Sequence, residues 1–339
     1  MIVVRAPLRI SFVGGGTDLP DFYTRYPGRV VSTAIDKYVY IVINRTPLID
    51  LVSARYSISE TVDHPSKLQH TRIRAALLDL GIKKNIEIAS FASLPSKTGL
   101  GSSSSFSVAL MRSLQAYLGT SIDRRGVAEA ASRLEIELCG EPIGKQDQYA
   151  AAFGGFNTIQ FNSDHSVKVE PILLDYKMCA DLEERLLIFF SGLTRSASSV
   201  LGEQKSNIRK EDKFQTMKEM SDSVPAFVGY LLAGDYAAMG RALHEGWQRK
   251  KSLAQKVSNP VIDDLYGAAI RAGAWGGKVL GAGGGGCLMF IVPPEAKGAI
   301  RECMRATAQK HALQEFRELP IKFVQSGVEV LYNAETHIV

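Results

Sequence analysis

The segment 94–105 reads Leu-Pro-Ser-Lys-Thr-Gly-Leu-Gly-Ser-Ser-Ser-Ser and constrains this chain more than any other stretch. It follows an apolar run at 86–91 that is typical of a β-strand. It precedes Phe106, Leu110 and Leu114, whose spacing by four predicts an amphipathic helix. A glycine-rich turn lets the backbone approach an anion, and the first N–H groups of a helix lack partners within it. Because the helix dipole adds partial positive charge there, the segment predicts a phosphate-binding loop.

Two alternatives apply to the glycine-rich segments. A serine-rich turn can cap a helix without binding any ligand, and the chain has no match to the G-x-x-x-x-G-K-[ST] pattern of P-loops. The cluster Gly281–Gly286 fits G-x-G-x-x-G, but a strand at 287–292 is predicted after it, whereas a dinucleotide fold requires a helix. We expect this cluster to turn beside phosphates, with a flexible interdomain turn as the alternative.

Length and composition indicate a globular protein of about two domains. The chain has 339 residues, of which 45% are hydrophobic and 22% charged, and this balance excludes a disordered or collagen-like chain. Predicted strands and helices are mixed without strict alternation, so we expect an α+β fold. The polar stretch 162–165 marks a possible edge, which gives an N-terminal domain of residues 1–165 and a C-terminal domain of residues 166–339. Residues 125–138 are predicted as one helix and 321–331 as a terminal strand.

Several classes of function are disfavoured. The net charge is only +5 and no basic, aromatic stripe is present, so we expect no nucleic-acid partner. The longest apolar runs are far shorter than the roughly 20 residues that span a bilayer, and the N-terminus does not read as a signal peptide. The four cysteines form no C-x-x-C pair, and the histidines lack metal-ligand spacing. We therefore expect a cytoplasmic protein with no membrane partner, of undetermined oligomeric state.

Three segments, taken in order, resemble the motifs of the GHMP small-molecule kinases, which include galactokinase, homoserine kinase, mevalonate kinase and phosphomevalonate kinase. They are residues 6–18, 95–104 and 281–286, and the resemblance covers essentially the full length. It implies an N-terminal domain like ribosomal protein S5 domain 2 and a ferredoxin-like C-terminal domain. It also implies that ATP, with Mg²⁺, and a small-molecule substrate occupy the cleft between the two domains.

Within that family the chain resembles the D-glycero-D-manno-heptose 7-phosphate kinases. Those proteins have Gly-Gly-Gly-Thr-Asp in the first motif, as at 14–18, and Gly-Lys-Gln-Asp-Gln-Tyr, as at 144–149. Galactokinases have Gly-Glu-His-Thr-Asp instead. The resemblance implies transfer of the γ-phosphoryl group of ATP to the anomeric hydroxyl of the sugar phosphate. A kinase for another sugar, such as fucose or heptose 1-phosphate, and a non-catalytic nucleotide- or sugar-binding regulator remain alternatives; a dehydrogenase using residues 281–286 is a distant one.

The resemblance also assigns catalytic residues. Asp147 matches the family's catalytic aspartate, which accepts or orients the proton of the substrate hydroxyl, and Arg9 matches the arginine beside it. Phosphoryl transfer requires mainly positioning and neutralisation of charge, which suits this pair. The alternative for Asp147 is a cap on a short helix at 147–153.

The remaining site residues come partly from the resemblance and partly from the chemistry of their side chains. Mg²⁺ is expected at Ser103 and Glu135, with Glu137 as the alternative carboxylate. Arg195 is our first choice for the phosphate already on the substrate, and Lys145 is the second. The predicted nucleotide-binding residues are Pro95, Lys97, Gly99, Leu100, Gly101, Ser102, Ser103 and Ser104. The predicted substrate-binding residues are Gly15, Gly16, Thr17, Asp18, Lys145, Gln146, Arg195, Gly283, Gly284 and Gly285.

Overall fold

The computed structural model describes residues 1–194 and 197–334. Within these ranges the strands form one sheet of eight and one sheet of four. The strands are β1 (Ile2–Ser11), β2 (Gly28–Arg45), β3 (Val52–Arg55), β4 (Ser59–Val62), β5 (Ile86–Ala92), β6 (Phe156–Phe161), β7 (Val167–Pro171), β8 (Leu186–Phe190), β9 (Gly276–Val279), β10 (Cys287–Ile291), β11 (Arg317–Glu318) and β12 (Glu329–Asn333).

Helices cover both sheets and fill most of the chain between β8 and β9. The α-helices of the described residues are α1 (Pro20–Tyr23), α2 (Thr71–Asp79), α3 (Ser102–Tyr117), α4 (Arg124–Arg133), α5 (Gln146–Phe153), α6 (Tyr176–Glu184), α7 (Ala197–Asn207), α8 (Glu211–Asp222), α9 (Val224–Ala233), α10 (Tyr236–Leu253), α11 (Pro260–Arg271) and α12 (Lys297–Lys310).

The first sheet is built around the long strand β2. Its main path runs β12-β1-β2-β5-β3-β4, while β6 pairs with the first half of β2 and β7 pairs with β6. Helix α3 packs across β1 and β2, so that Leu110 and Leu114 join Ile41 and Ile43 in one buried core. The strand–loop–helix order that the sequence predicts around 94–105 is therefore confirmed, since β5 leads through this loop into α3.

The second sheet is antiparallel, with spatial order β11-β8-β10-β9. Along the chain, helices follow β8, a turn joins β9 to β10, and α12 separates β10 from β11. This βαββαβ succession, with the fourth strand beside the first, is the ferredoxin-like arrangement. The expected α+β fold of two domains is confirmed.

A shared hydrophobic core joins the two sheets. Leu8, Ile10 and Phe12 of the first sheet are buried in the same cluster as Ile188 and Met289 of the second. Burial of apolar surface on both sides of the junction stabilises one relative placement of the sheets. The loops that meet at this junction are consequently held in a defined geometry.

The sheet pairing shows where the chain crosses between the sheets. The boundary predicted at 165/166 falls inside the β6–β7 hairpin, because Val167 pairs with Phe161. The last strand, β12, begins only at Glu329 and returns to pair with β1. We propose a domain edge after Pro171, with both ends of the described chain in the first domain.

The helix predicted over 125–138 is present but changes type before its end. Helix α4 stops at Arg133, and residues Leu134–Leu138 form a turn of π-helix, which admits an extra residue and is frequent at functional sites. Glu135 is buried, whereas Glu137 is exposed. Of the two candidate carboxylates, the one directed into the protein is therefore that of Glu135. Among the residues described, no helix is long and apolar enough to cross a membrane.

Candidate active site

A cavity of about 560 Å³ lies at the junction of the two domains. Its walls come from the first motif, from the loop before α3, from the start of α5 and from the turn between β9 and β10. Of the residues predicted from the sequence, the following line it: Arg9, Gly15, Gly16, Asp18, Lys97, Gly99, Gly101, Ser102, Ser103, Ser104, Glu135, Gln146, Asp147, Gly283 and Gly285.

Five predicted residues lie outside the walls, and the packing or contacts of three of them explain why. Thr17 is buried, and its hydroxyl donates to the carbonyl oxygen of Gly14 at 2.9 Å. Leu100 is a core residue, and the N–H of Gly284 donates to the carbonyl oxygen of Val257 at 2.7 Å. These residues support the shape of the site and do not line it. The other two predicted residues outside the cavity walls are Pro95 and Lys145. Arg195 lies outside the described residues.

The two glycine loops are packed backbone to backbone. The N–H of Cys287 donates to the carbonyl oxygen of Thr98 at 2.9 Å. A Cβ atom at Gly99 would lie 2.5 Å from the carbonyl oxygen of Leu280, and one at Gly286 would lie 2.6 Å from that of Thr98. Side chains at these positions would force the loops apart. The cluster 281–286 is thus a close-packing element against the loop before α3, and a flexible interdomain turn does not describe it.

We expect Gly286→Ala to weaken nucleotide binding and to destabilise the fold. Gly286 has φ +84, and the added Cβ would meet backbone atoms that cannot rotate away. The strained backbone alone costs roughly 1–2 kcal/mol, and displacement of the loop should raise the dissociation constant for ATP about tenfold, or roughly 1.4 kcal/mol. Thermal unfolding and calorimetric titration measure both effects.

Gly298→Ala is the matched control for that substitution. Gly298 lies in α12, and a Cβ there would meet nothing within 4 Å. An alanine in a helix is more stable than a glycine by roughly 0.5–1 kcal/mol, so this variant should melt slightly higher and bind ATP as the wild type does. A Gly286→Ala protein that behaves like the control would contradict the packing argument.

The N-terminus of α3 opens into the cavity. Gly101 precedes the helix in a left-handed conformation, φ 76, which favours glycine. The first main-chain hydrogen bond of the turn runs from Ser105 N to Gly101 O at 2.9 Å. The N–H groups of Ser102 and Ser103 are therefore the orphan donors of a helix start, and they lie where the helix dipole favours an anion.

Arg9 and Asp147 form a two-pronged ion pair in the cavity. Arg9 Nε donates to Asp147 Oδ1 at 2.7 Å and Arg9 Nη2 donates to Oδ2 at 2.6 Å. Arg9 Nη1 also donates to the carbonyl oxygen of Gly99 at 2.6 Å, which links the pair to the loop before α3. Such a fork fixes the orientation of a carboxylate. The alternative that Asp147 caps its helix is wrong, because Lys145 occupies the cap position and no side chain caps it.

Asp18 is buried where the first motif meets α5. Its carboxylate accepts from Gly16 N at 3.2 Å, from Gln146 N at 3.1 Å and from Gln146 Nε2 at 2.9 Å. Gly144 makes this approach possible, since a Cβ atom there would lie 2.0 Å from Asp18 Oδ2. Burial raises the pKa of Asp18 to about 6, the hydrogen bonds from Gln146 oppose the shift, and the charge of Asp147 adds to it.

Two lysines that belong to none of the motifs lie in the same cavity. Lys250, on α10, is 5% exposed, and its ammonium donates to the carbonyl oxygen of Gly281. Its pKa is lowered to about 8, chiefly by burial and then by the charge of Arg9, while Asp18 and Asp147 oppose the shift. Lys278 Nζ, on β9, donates to the carbonyl oxygens of Ser11 and Phe12. Its pKa is lowered well below the usual value, chiefly by burial.

Part of the cavity wall is apolar. Val39, Phe91 and Leu94 belong to it, and Phe91 exposes 61% of its surface although it is a large aromatic residue. An exposed aromatic ring in a cavity that also contains a helix start suits a planar nucleotide base. The cavity wall therefore combines apolar residues, the start of α3 and charged residues that include Asp147.

Comparison with protein families decides the assignment. The model of the GHMP kinase N-terminal domain matches residues 68–155, and that of the GHMP kinase C-terminal domain matches residues 227–310, together about half of the chain. The chain belongs to the GHMP kinase family. It is therefore a phosphotransferase with an alcohol acceptor, and ATP is the co-substrate of GHMP kinases.

Individual GHMP kinases are similar over nearly the full length. The D-glycero-alpha-D-manno-heptose 7-phosphate kinase of Campylobacter jejuni is 27% identical, over 97% of this chain and 98% of its own. The crystal structure of a D-glycero-D-manno-heptose 1-phosphate kinase from Bacteroides thetaiotaomicron has a TM-score of 0.80 at 25% identity, over 98% of this chain and 99% of its own. A galactokinase of Thermococcus kodakarensis is 27% identical, over 85% of this chain and 89% of its own.

The GHMP kinase family implies a magnesium ion, and the contacts of Glu135 show whether this carboxylate has room to bind one. Glu135 Oε1 accepts from Arg72 Nε at 3.0 Å, and Oε2 accepts from Ser104 Oγ at 2.8 Å and from Gln148. The serine that contacts this carboxylate is thus Ser104, whereas the resemblance pairs it with Ser103, which is exposed to the cavity. Three of a carboxylate's roughly four lone-pair positions are used, which leaves one for a cation.

A magnesium ion that arrives with the nucleotide fits this donor set. Within the described ranges, no group of three or more His, Cys, Asp and Glu side chains is arranged to hold a metal. Mg²⁺ takes most of its ligands from water and from substrate phosphates, so one carboxylate and one hydroxyl suffice. Burial raises the pKa of Glu135, and a nearby cation would favour its ionised form.

Proposed function

We propose that this protein transfers the γ-phosphoryl group of ATP to the anomeric hydroxyl of D-glycero-D-manno-heptose 7-phosphate, giving the 1,7-bisphosphate. The observation that carries the proposal is the Asp147 carboxylate, which Arg9 fixes inside the cavity between the phosphate-binding loop and the first motif. The similarity to the Campylobacter jejuni enzyme and the Gly-Gly-Gly-Thr-Asp sequence at 14–18 support the choice of sugar.

The proposed reaction is a displacement at phosphorus. The oxygen of the sugar hydroxyl bonds to the γ-phosphorus, the bond from that phosphorus to the β–γ bridging oxygen breaks, and ADP leaves. The hydroxyl proton passes to a carboxylate oxygen of Asp147. Because both prongs of Arg9 hold this carboxylate, its remaining lone pairs face the cavity in a fixed direction.

Charge on the transferred group is neutralised by groups from both domains. The N–H groups of Ser102 and Ser103 at the start of α3, the guanidinium of Arg9 and the ammonium of Lys250 all reach the cavity. Donors that are already in place stabilise developing charge without reorganisation. Mg²⁺, held by Ser103 and Glu135, would add positive charge at the phosphates of ATP.

Substrate binding is assigned to the first motif and α5. Asp18 and Gln146 lie together in the cavity, with Gly15 and Gly16 presenting backbone beside them. An ionised carboxylate accepts hydrogen bonds from sugar hydroxyls, which is the role we propose for Asp18. Arg195 remains our prediction for the phosphate already on the sugar.

We expect the rate to depend on pH with a bell-shaped profile. Asp18, with its pKa raised to about 6, loses its role as an acceptor when it is protonated at lower pH. Lys250, with its pKa lowered to about 8, loses its charge at higher pH. A profile of kcat/KM for the sugar should therefore fall on the acid side of about 6 and on the alkaline side of about 8. A flat profile from pH 5 to pH 9 would contradict these two roles.

The proposal is tested by a coupled assay of ADP release. Purified protein is offered heptose 7-phosphate, heptose 1-phosphate, galactose and fucose, and ³¹P NMR locates the new phosphate. Turnover of heptose 7-phosphate with a new anomeric phosphate is expected. The second candidate is a heptose 1-phosphate kinase, which the name of the similar Bacteroides structure favours, and faster turnover of that sugar would replace our proposal. Tight binding of a sugar without ADP release would indicate a regulator.

A further inference from the structure

Gln204, on α7, has a side-chain amide without a hydrogen-bond partner inside the active-site cavity. The residue is 1% exposed, and neither its Oε1 nor its Nε2 contacts a donor or acceptor of the described chain. It lines the same cavity as Asp147. Buried amides in folded proteins are nearly always paired, because an unpaired one loses its hydration without compensation. The amide therefore calls for a partner from outside the chain.

The position of Gln204 on its helix makes a packing role insufficient. Val200 and Gln204 of α7 and Ile208, the residue that follows this helix, are spaced by four and lie on one side, and the two apolar residues are fully buried. An apolar side chain would fill the middle position at no polar cost. The helix does not need the amide as an anchor, because Asn207 Nδ2 already ties it to the carbonyl oxygen of Leu253 at 2.9 Å.

The amide rests on the first motif. A Cβ atom at Gly16 would lie 2.5 Å from Gln204 Nε2, so the close approach depends on glycine at that position. The N–H of Gly16 donates to Asp18, and Gln146 donates to the same carboxylate. Gln204 Nε2 therefore lies against Gly16, which is hydrogen-bonded to Asp18, and all three residues line the cavity.

The chemistry of an amide selects its ligand. Its NH₂ group donates and its carbonyl oxygen accepts, so one partner must do both or two partners must share the task. A phosphate oxygen only accepts, and it would leave Oε1 unpaired. A hydroxyl group, or a pair of adjacent hydroxyls, satisfies both atoms. We propose that Gln204 binds hydroxyl groups of the acceptor and determines which sugars the site accepts. This inference rests on the proposed function only because it takes the acceptor to be a sugar.

The test is the substitution Gln204→Met, which keeps the length of the side chain and removes its polar atoms. The KM for the acceptor sugar should rise roughly 10- to 100-fold, while the KM for ATP stays within twofold. The ligand-free variant should melt at the same temperature as the wild type or higher, because no hydrogen bond of the free protein is lost. Gln215→Met, at an exposed position of α8, is the control and should change neither quantity.

Deoxy analogues identify the hydroxyl. The wild type should discriminate against the monodeoxy acceptor that lacks the group bound by Gln204, and the variant should treat that analogue and the parent sugar alike. An acceptor KM within twofold of the wild type would overturn the inference. So would a ligand-free melting temperature lower by about 5 °C, which is the result for an amide satisfied by structural water.

A wrong choice of sugar does not affect this test. The acceptor used is the one that the wild type phosphorylates in the panel above, so failure on heptose 7-phosphate counts against the proposed function alone. The melting comparison needs no substrate.

Discussion

Replacement of Asp147 by asparagine is expected to lower kcat roughly 10³-fold, the middle of the range for a general base, with little change in KM for either substrate. Asparagine keeps the size of the side chain and one acceptor for Arg9 but cannot take the proton of the sugar hydroxyl. Single-turnover measurements with ATP and the sugar separate this loss from product release. A kcat within tenfold of the wild type would show that Asp147 only orients the hydroxyl.

The chain offers a closely matched control for this substitution. Asp21, just beyond the first motif, has the same side-chain exposure as Asp147, 24%, and is also paired with a cation, Lys205. It does not line the cavity, so Asp21→Asn should leave kcat unchanged. The double variant of Arg9→Met with Asp147→Asn should be little worse than the poorer of the two single variants, because residues that act as a unit are not additive.

Replacement of Lys250 by methionine is expected to lower kcat/KM roughly 100-fold, the loss seen when one donor to a developing oxyanion is removed. The ammonium lies in the cavity, and its electrostatic neighbours are Arg9, Asp18 and Asp147. Methionine has a similar length, so the packing around α10 is preserved. The alkaline limb near pH 8 should also disappear from the pH profile, since the titrating group has been removed.

Lys251→Met is the control for the loss of one positive charge from the protein as a whole. Lys251 is the next residue on α10, it is more exposed, and it pairs with Asp263 at the surface. Its removal lowers the net charge by the same amount and should leave both the rate and the alkaline limb unchanged. If the two variants behave alike, or if Lys250→Met keeps the limb, the proposed role of Lys250 is wrong.

Lys250 and Gln204 show what a search for motifs leaves out. Neither is part of the three glycine-rich segments, and the sequence analysis assigned them no role. A signal was nevertheless present on α10, where Met239, Leu243 and Trp247 form an apolar face that Lys250 continues. A polar residue on the buried face of a helix costs free energy unless something pairs with it, so such positions point to a site. The phase of the helix must be known before this signal can be used.

Short-range sequence rules were sufficient to predict the strand, turn and helix around residues 94–105. Strand β5, the turn with left-handed glycines and helix α3 follow one another directly in the chain, so short-range rules on glycine, helix starts and apolar spacing describe them. The pair of Arg9 and Asp147 came from the resemblance, and its geometry is now visible as a two-pronged contact. The predicted domain edge lies in the polar hairpin turn at 162–165, which resembles a linker when the pairing partner of β7 is unknown.

The amino-acid sequence by itself determined the α+β class, the order of most strands and helices, the strand, glycine-rich loop and helix around 94–105, and the membership of a kinase family that its three motifs indicate. These properties depend on residues close together in the chain. Only the tertiary structure decided that the two glycine loops touch, that Ser104 rather than Ser103 meets Glu135, and that Lys250 and Gln204 enter the cavity. Each of these contacts joins residues that are not neighbours in sequence. Ser104 and Glu135 meet through the packing of helices within the first domain, whereas the other contacts depend on how the two sheets pack on a shared core.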